Sequence, residues 1–173
     1  MARVLIVGCG NPLRGDDGLA WRALIHLERR PKLEGVQMVY CHQFTPDLAE
    51  PVSQAERVIF VDARIGDTPG TLERRRIEPD SSKGLAFSHQ CDPSALLDYA
   101  EQLYGKRPEA YVVSVVGESF GYLEELSGPV RSSMTDLLQA VEELAIQGGL
   151  VEERVGAGLE PAMGDHKSRP SNR

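Results

Sequence analysis

Asp17, Asp62 and His89 are the residues whose types could do chemistry together. Asp17 lies in the loop after the first apolar run, and Asp62 closes the run Val58-Ile59-Phe60-Val61. His89 stands just before Asp92-Pro93, a pair that opens a helix. Two carboxylates and an imidazole from three parts of the chain would form an O, O, N set. Such a set leaves coordination positions open, as a catalytic or substrate-shared divalent site requires. Spacing alone equally allows separate helix caps and a surface histidine. Asp16 adjoins Asp17, so a slip of one residue in the loop register would exchange them.

Two other motifs compete for attention. Gly8-Cys9-Gly10 follows the first apolar run, as a dinucleotide-binding turn would, but Leu13 stands where G-x-G-x-x-G needs its third glycine. The second strand ends in Cys41-His42 rather than in an acid for a ribose, and adjacent aspartates would repel a pyrophosphate. Gly117-Glu118-Ser119-Phe120-Gly121 spells G-x-S-x-G after another apolar run, the pattern of a hydrolase nucleophile elbow. That chemistry needs an acid and a histidine later in the chain. The candidates are Asp136, inside the last helix, and His166, near the C-terminal end. The helix that should leave the elbow at once is also cut short by Ser127-Gly128-Pro129. A serine hydrolase acting through Ser119 is therefore a minor alternative.

The elements that must position these residues alternate between two hydrophobic periods. Val4-Leu5-Ile6-Val7 is wholly apolar and reads as a strand covered on both faces. Residues 18–30 turn helical, with Leu19, Ala23 and Leu27 on one face and His26 on the solvent side. A second strand spans about 36–41, and Thr45-Pro46 starts a short helix with threonine as its cap. After the strand ending at Asp62, residues 71–78 carry Arg74-Arg75-Arg76, too polar for a sheet centre and suited to a protected edge strand. A helix runs from Asp92-Pro93 to Gly105, a strand over 111–116, and a last helix from about Ser127 to Gly148. Alternating strands and helices predict an α/β three-layer sandwich. In it, a twisted, mostly parallel sheet of about five strands lies between helices, with an edge strand. In such sheets ligands bind beyond the carboxyl ends of the strands. The expected domain is 1–148, with 149–173 a mobile tail of balanced charge.

The chain has 173 residues, 26 acidic against 19 basic side chains and a net charge of −7. That length suits one domain, and the acidic excess argues against general nucleic-acid binding. No apolar run approaches the ~18 residues of a membrane helix, and the N-terminus reaches Gly8 too early for a signal peptide's apolar region. A cytoplasmic, monomeric protein is expected. Cys9, Cys41 and Cys91 form no C-x-x-C and are odd in number, so each reads as a small apolar residue.

The run V-L-I-V-G followed by G-N-P-L-R-G-D-D-G-L-A resembles the opening of the hydrogenase maturation endopeptidases, and V-I-F-V-D-A at 58–63 and F-S-H-Q at 87–90 continue the likeness. It extends over roughly residues 3–146. The segment His42–Pro46 departs from the glycine-rich stretch common in the family, and Gly117 replaces a proline often found there. The resemblance implies an α/β peptidase that removes a short C-terminal extension from the precursor of a nickel–iron hydrogenase large subunit. Nickel, already held by the precursor, would be the recognition element. Asp17, Asp62 and His89 would complete its coordination and serve catalysis. A non-catalytic metallochaperone or docking module using the same ligands is the alternative that the residues leave open.

Overall fold

The computed structural model describes residues 3–83 and 91–146. Five strands of these residues form one sheet: β1 (Val4–Cys9), β2 (Gln37–Cys41), β3 (Arg57–Arg64), β4 (Leu72–Ile77) and β5 (Glu109–Val116). Their order is β2-β1-β3-β5-β4. The first four in that order are parallel, and β4 closes the β5 edge antiparallel. The arginine-rich segment is thus the edge strand, where its side chains meet Glu73, Glu78 and Glu143. Charges along an open edge discourage a second chain from pairing there.

Among the described residues four helices cover the sheet: α1 (Leu19–Leu27), α2 (Ala49–Gln54), α3 (Pro93–Tyr104) and α4 (Gly128–Ile146). Strand alternation divides the core between two layers. Ile6, Ile59, Val61, Val113 and Val115 pack under α1 and α4, with Leu24, Leu27, Val130, Leu137 and Val141. Leu5, Val7, Val58, Phe60 and Val112 pack under α2 and α3, with Val52, Leu96 and Ala100. Because β1 and β3 are buried on both faces, they read as unbroken apolar runs.

Capping follows sequence chemistry closely in α3 and less so in α2. The Asp92 carboxylate accepts the Ala95 N–H at 2.9 Å, and Gly105 ends the helix at φ +64°. Thr45 precedes a 3-10 turn, Pro46–Leu48, without using its hydroxyl as a cap, so Pro46 alone sets that start. Opposite the carboxyl edge, the buried Arg57 guanidinium ties the start of β3 to Glu109 on β5 and to the Leu144 carbonyl of α4. The expected tail, from 149 onward, lies outside the described residues. Among the described residues no helix is long and apolar enough to cross a membrane.

α1 leaves β1 over one face of the sheet, while α2 leads into β3 over the other. The crevice where connections diverge therefore opens between β1 and β3, at their carboxyl ends. Asp17 belongs to the chain leaving β1, and Asp62 lies near the carboxyl end of β3 itself.

Candidate active site

The turn after β1 is built around Gly10, whose φ of +138° favours glycine. A Cβ there would lie 1.9 Å from the Asp17 carbonyl oxygen, so chain and returning loop touch. Beyond it the Asn11 N–H donates to Asp17 Oδ2 at 2.9 Å, and the Asn11 side chain accepts from the Leu13 N–H. A 3-10 turn, Gly15–Gly18, then carries both aspartates into α1.

The two neighbours have different surroundings. Asp16 is completely buried. Its Oδ2 accepts the N–H groups of Glu118 at 2.8 Å and Ser119 at 2.9 Å, and its Oδ1 accepts that of Ser127 at 2.7 Å. Burial by itself would push this carboxyl up, but the backbone donors outweigh it and hold Asp16 below its ordinary value. Asp17 is half-buried, and its charge is felt by Asp62.

Asp62 is the perturbed acid of the crevice. Burial pushes it up to about 7, with the nearby Asp17 charge adding to the effect and a hydrogen bond with the Ala63 backbone opposing it. A carboxyl titrating near neutrality can hold or release a proton at working pH. The structure thus brings Asp17 and Asp62 together. His89, the third expected member, lies outside the described residues. Among the described residues no group of three or more His, Cys, Asp or Glu side chains is arranged to hold a metal by itself.

The strand register exposes a neighbour that sequence reading missed. Cys9 and Cys41 are Cα partners on β1 and β2, and all three cysteines are reduced thiols. Gly8 pairs with Val61, so the next level of the same register sets Cys9 beside Asp62. Cys41, Cys9 and Asp62 therefore form one row across the sheet, on the α2–α3 side shared by Leu5, Val7, Val58 and Phe60. The Cys9 and Cys41 thiols hydrogen-bond each other. That bond, then burial and the charges of Cys41, Asp62 and Asp17, raise Cys9. The same bond lowers Cys41 against the effect of its burial. Thirty-one intervening residues hid this pair; only the β1–β2 register could have shown it.

The G-x-S-x-G segment is a brace in this fold. Ser119 gives its N–H to Asp16 and accepts the Asp16 N–H at 2.9 Å. No helix leaves it until Gly128. Ser119→Ala removes a hydroxyl and none of these backbone bonds, so peptidase activity is expected to stay within about twofold of wild type. A fluorophosphonate probe should leave Ser119 unlabelled; labelling that tracks activity would reinstate the elbow.

No family model matches the chain. It is 26% identical over 153 residues, 81% of its length and 97% of the other's, to a Methanocaldococcus jannaschii protein provisionally named a hydrogenase maturation protease. Among solved structures it is similar to the [NiFe] hydrogenase maturation protease HybD of Thermococcus kodakarensis, with 26% identity and a TM-score of 0.66 over 83% of this chain and 99% of that one. A hydrogenase 2 maturation peptidase of a Thaumarchaeota archaeon gives 25% identity and a TM-score of 0.63, over 84% and 99%. The hydrogenase maturating endopeptidase HybD of Escherichia coli shares the fold, at 24% identity and a TM-score of 0.64 over 80% and 89%. Motif resemblance and fold agree: over most of its length the chain is similar to peptidases that mature hydrogenases.

Proposed function

We propose that this peptidase removes the C-terminal extension of a nickel-loaded precursor of a nickel–iron hydrogenase large subunit, acting in the cytoplasm. Asp17, Asp62 and His89 complete the coordination of nickel that belongs to the substrate. The observation carrying this reading is the pair Asp17 and Asp62 at the switch point, one of them raised to about 7. A buried carboxyl raised toward neutrality beside a second carboxylate suits a division of labour. Asp17 is the ligand rather than Asp16, because both Asp16 oxygens are already committed to backbone N–H groups.

Two routes to cleavage use the same residues. The substrate's nickel can polarise the scissile carbonyl while the carboxylates hold the metal. Alternatively Asp62, ionised near neutral pH, takes a proton from the attacking water. In both, a precursor without nickel lacks the element that docks it.

The test is cleavage of nickel-loaded precursor, read by mass. Asp17→Asn, Asp62→Asn and His89→Ala should each lose activity by about 10²-fold or more. Nickel-free precursor should remain intact with the wild type. Full processing by all three variants, or efficient cutting without nickel, would overturn the assignment. A precursor that binds but keeps its full mass would mark a docking module instead.

A further inference from the structure

We propose that Cys9 and Cys41 form a reversible dithiol–disulfide pair whose closure disables the Asp17–Asp62 crevice. The geometry begins with register. Paired positions on neighbouring strands lie about 4.8 Å apart, inside the roughly 4.4–6.8 Å between Cα atoms that a disulfide spans. Both side chains leave the sheet on the same side, and the thiols already touch through a hydrogen bond.

The backbone around Cys41 is held in place. Its carbonyl accepts the Gly10 N–H at 3.0 Å and the Trp21 indole N–H at 3.1 Å. Trp21 in turn stacks on His42 at 5.1 Å and meets Tyr40 edge-on at 5.2 Å. The Cys41 sulfur lies 3.6 Å from the Gly8 carbonyl oxygen. Bond formation therefore needs side-chain rotation rather than strand movement. Cys41 is half-buried and reachable, whereas Cys9 is 6% exposed. This gives the two sulfurs distinct parts.

A low-molecular-weight disulfide such as oxidised glutathione supplies the oxidant. The Cys41 sulfur, having lost its proton, attacks one sulfur of that disulfide, and the first small thiolate leaves and takes up a proton. The Cys9 sulfur then loses its proton to solvent and attacks Cys41 in the mixed disulfide. The second small thiolate leaves and is protonated. Two protein thiols are oxidised and one small disulfide becomes two thiols.

Closure reaches the crevice through Cys9. In the row across the sheet Cys9 stands between Cys41 and Asp62, so drawing its sulfur from hydrogen-bond to covalent distance of Cys41 shifts the wall beside Asp62. Cys9 also leads directly into Gly10, which has no slack against Asp17. Misplacing a catalytic group by ~1 Å costs about 10²-fold in rate. The control of activity rests on the peptidase reading; the bond itself does not.

The experiment treats the full chain with oxidised glutathione, removes the reagent, and maps the peptides before and after dithiothreitol. The expected product is two hydrogens lighter, links Cys9 to Cys41, leaves Cys91 alkylatable, and reverts with dithiothreitol. Cys9→Ala should stop at a glutathione adduct on Cys41, and Cys41→Ser should form no link. A stable adduct on the wild type, a link to Cys91, or no reaction would overturn the proposal. On nickel-loaded precursor, oxidation should slow cutting at least about tenfold, reversibly, and leave Cys41→Ser unaffected. A linked protein that cuts at the untreated rate would overturn the control. If untreated protein cuts nothing while the link still forms, the peptidase reading fails and the bond stands.

Discussion

Asp16→Ala is expected to cost about 3–5 kcal/mol of folding stability, more than any substitution of its neighbour. The carboxylate satisfies the N–H groups of Glu118, Ser119 and Ser127 from a fully buried position. Its removal strands three donors, each worth about 1–3 kcal/mol when unpaired, less what the loop regains by relaxing. For a domain whose total is about 5–15 kcal/mol, that loss threatens the fold itself. Asp16→Asn keeps the volume but turns an amide group toward N–H donors, and should lose about 2 kcal/mol. Asp17→Asn gives up charge at a single backbone contact and should change stability by about 1 kcal/mol or less. Urea unfolding of the three variants orders them, and an Asp16→Ala protein within about 1 kcal/mol of wild type would sink the argument.

Asp62→Asn should do the reverse, stabilising the protein at alkaline pH while abolishing its cutting. The folded carboxyl titrates at about 7 against an ordinary 3.8. The native state therefore holds its proton more tightly than the unfolded chain. The stability this confers is full below the unfolded value and is lost as pH rises through the folded one. Wild type should thus weaken between about pH 4 and 8 by roughly 2–4 kcal/mol from this group, a fall that Asn removes. Asp16 acts at the other limb. Its folded value is depressed, so its contribution is present above the unfolded value and lost as pH falls through the folded one. Thermal melts of wild type and Asp62→Asn from pH 4 to 8 test this directly. Parallel curves would show that Asp62 carries no stored penalty. Stability surrendered for a working carboxyl is a common exchange at active sites.

The sheet and its helices were legible because their signals are local. Val4–Val7 and Val58–Val61 are apolar on both faces since helices cover both, and Asp92 and Gly105 mark an N-cap and a C-cap that the structure uses. The meeting of Asp17 with Asp62 was also foreseeable, because open parallel sheets gather functional groups at their carboxyl edge. Three features were not legible, and each depends on distance in the chain. Asp16 looked like a rival to Asp17, but its partners lie more than a hundred residues away. Ser119 looked like a nucleophile because of its motif, whereas the fold employs the segment as a brace against Asp16. Cys9 and Cys41 looked solitary because strand register is decided by the whole sheet rather than by either strand.

The clasp of Asp16 on residues 118–127 also bears on how a large partner could be received. Gly15 and Asp16 bind that segment through their own N–H groups as well, and Arg14 lies over the Tyr122 ring. Yet Tyr122 and Leu123 are 89% and 60% exposed, and Leu13, next to Arg14 in the chain, is 57% exposed. Apolar side chains displayed on a strapped-down loop have lost their backbone freedom before any encounter. A protein arriving at the carboxyl edge would meet a surface with its ordering already done, so contact there converts into affinity with little entropic loss. The buried aspartate that binds three backbone N–H groups thus makes this surface a rigid template.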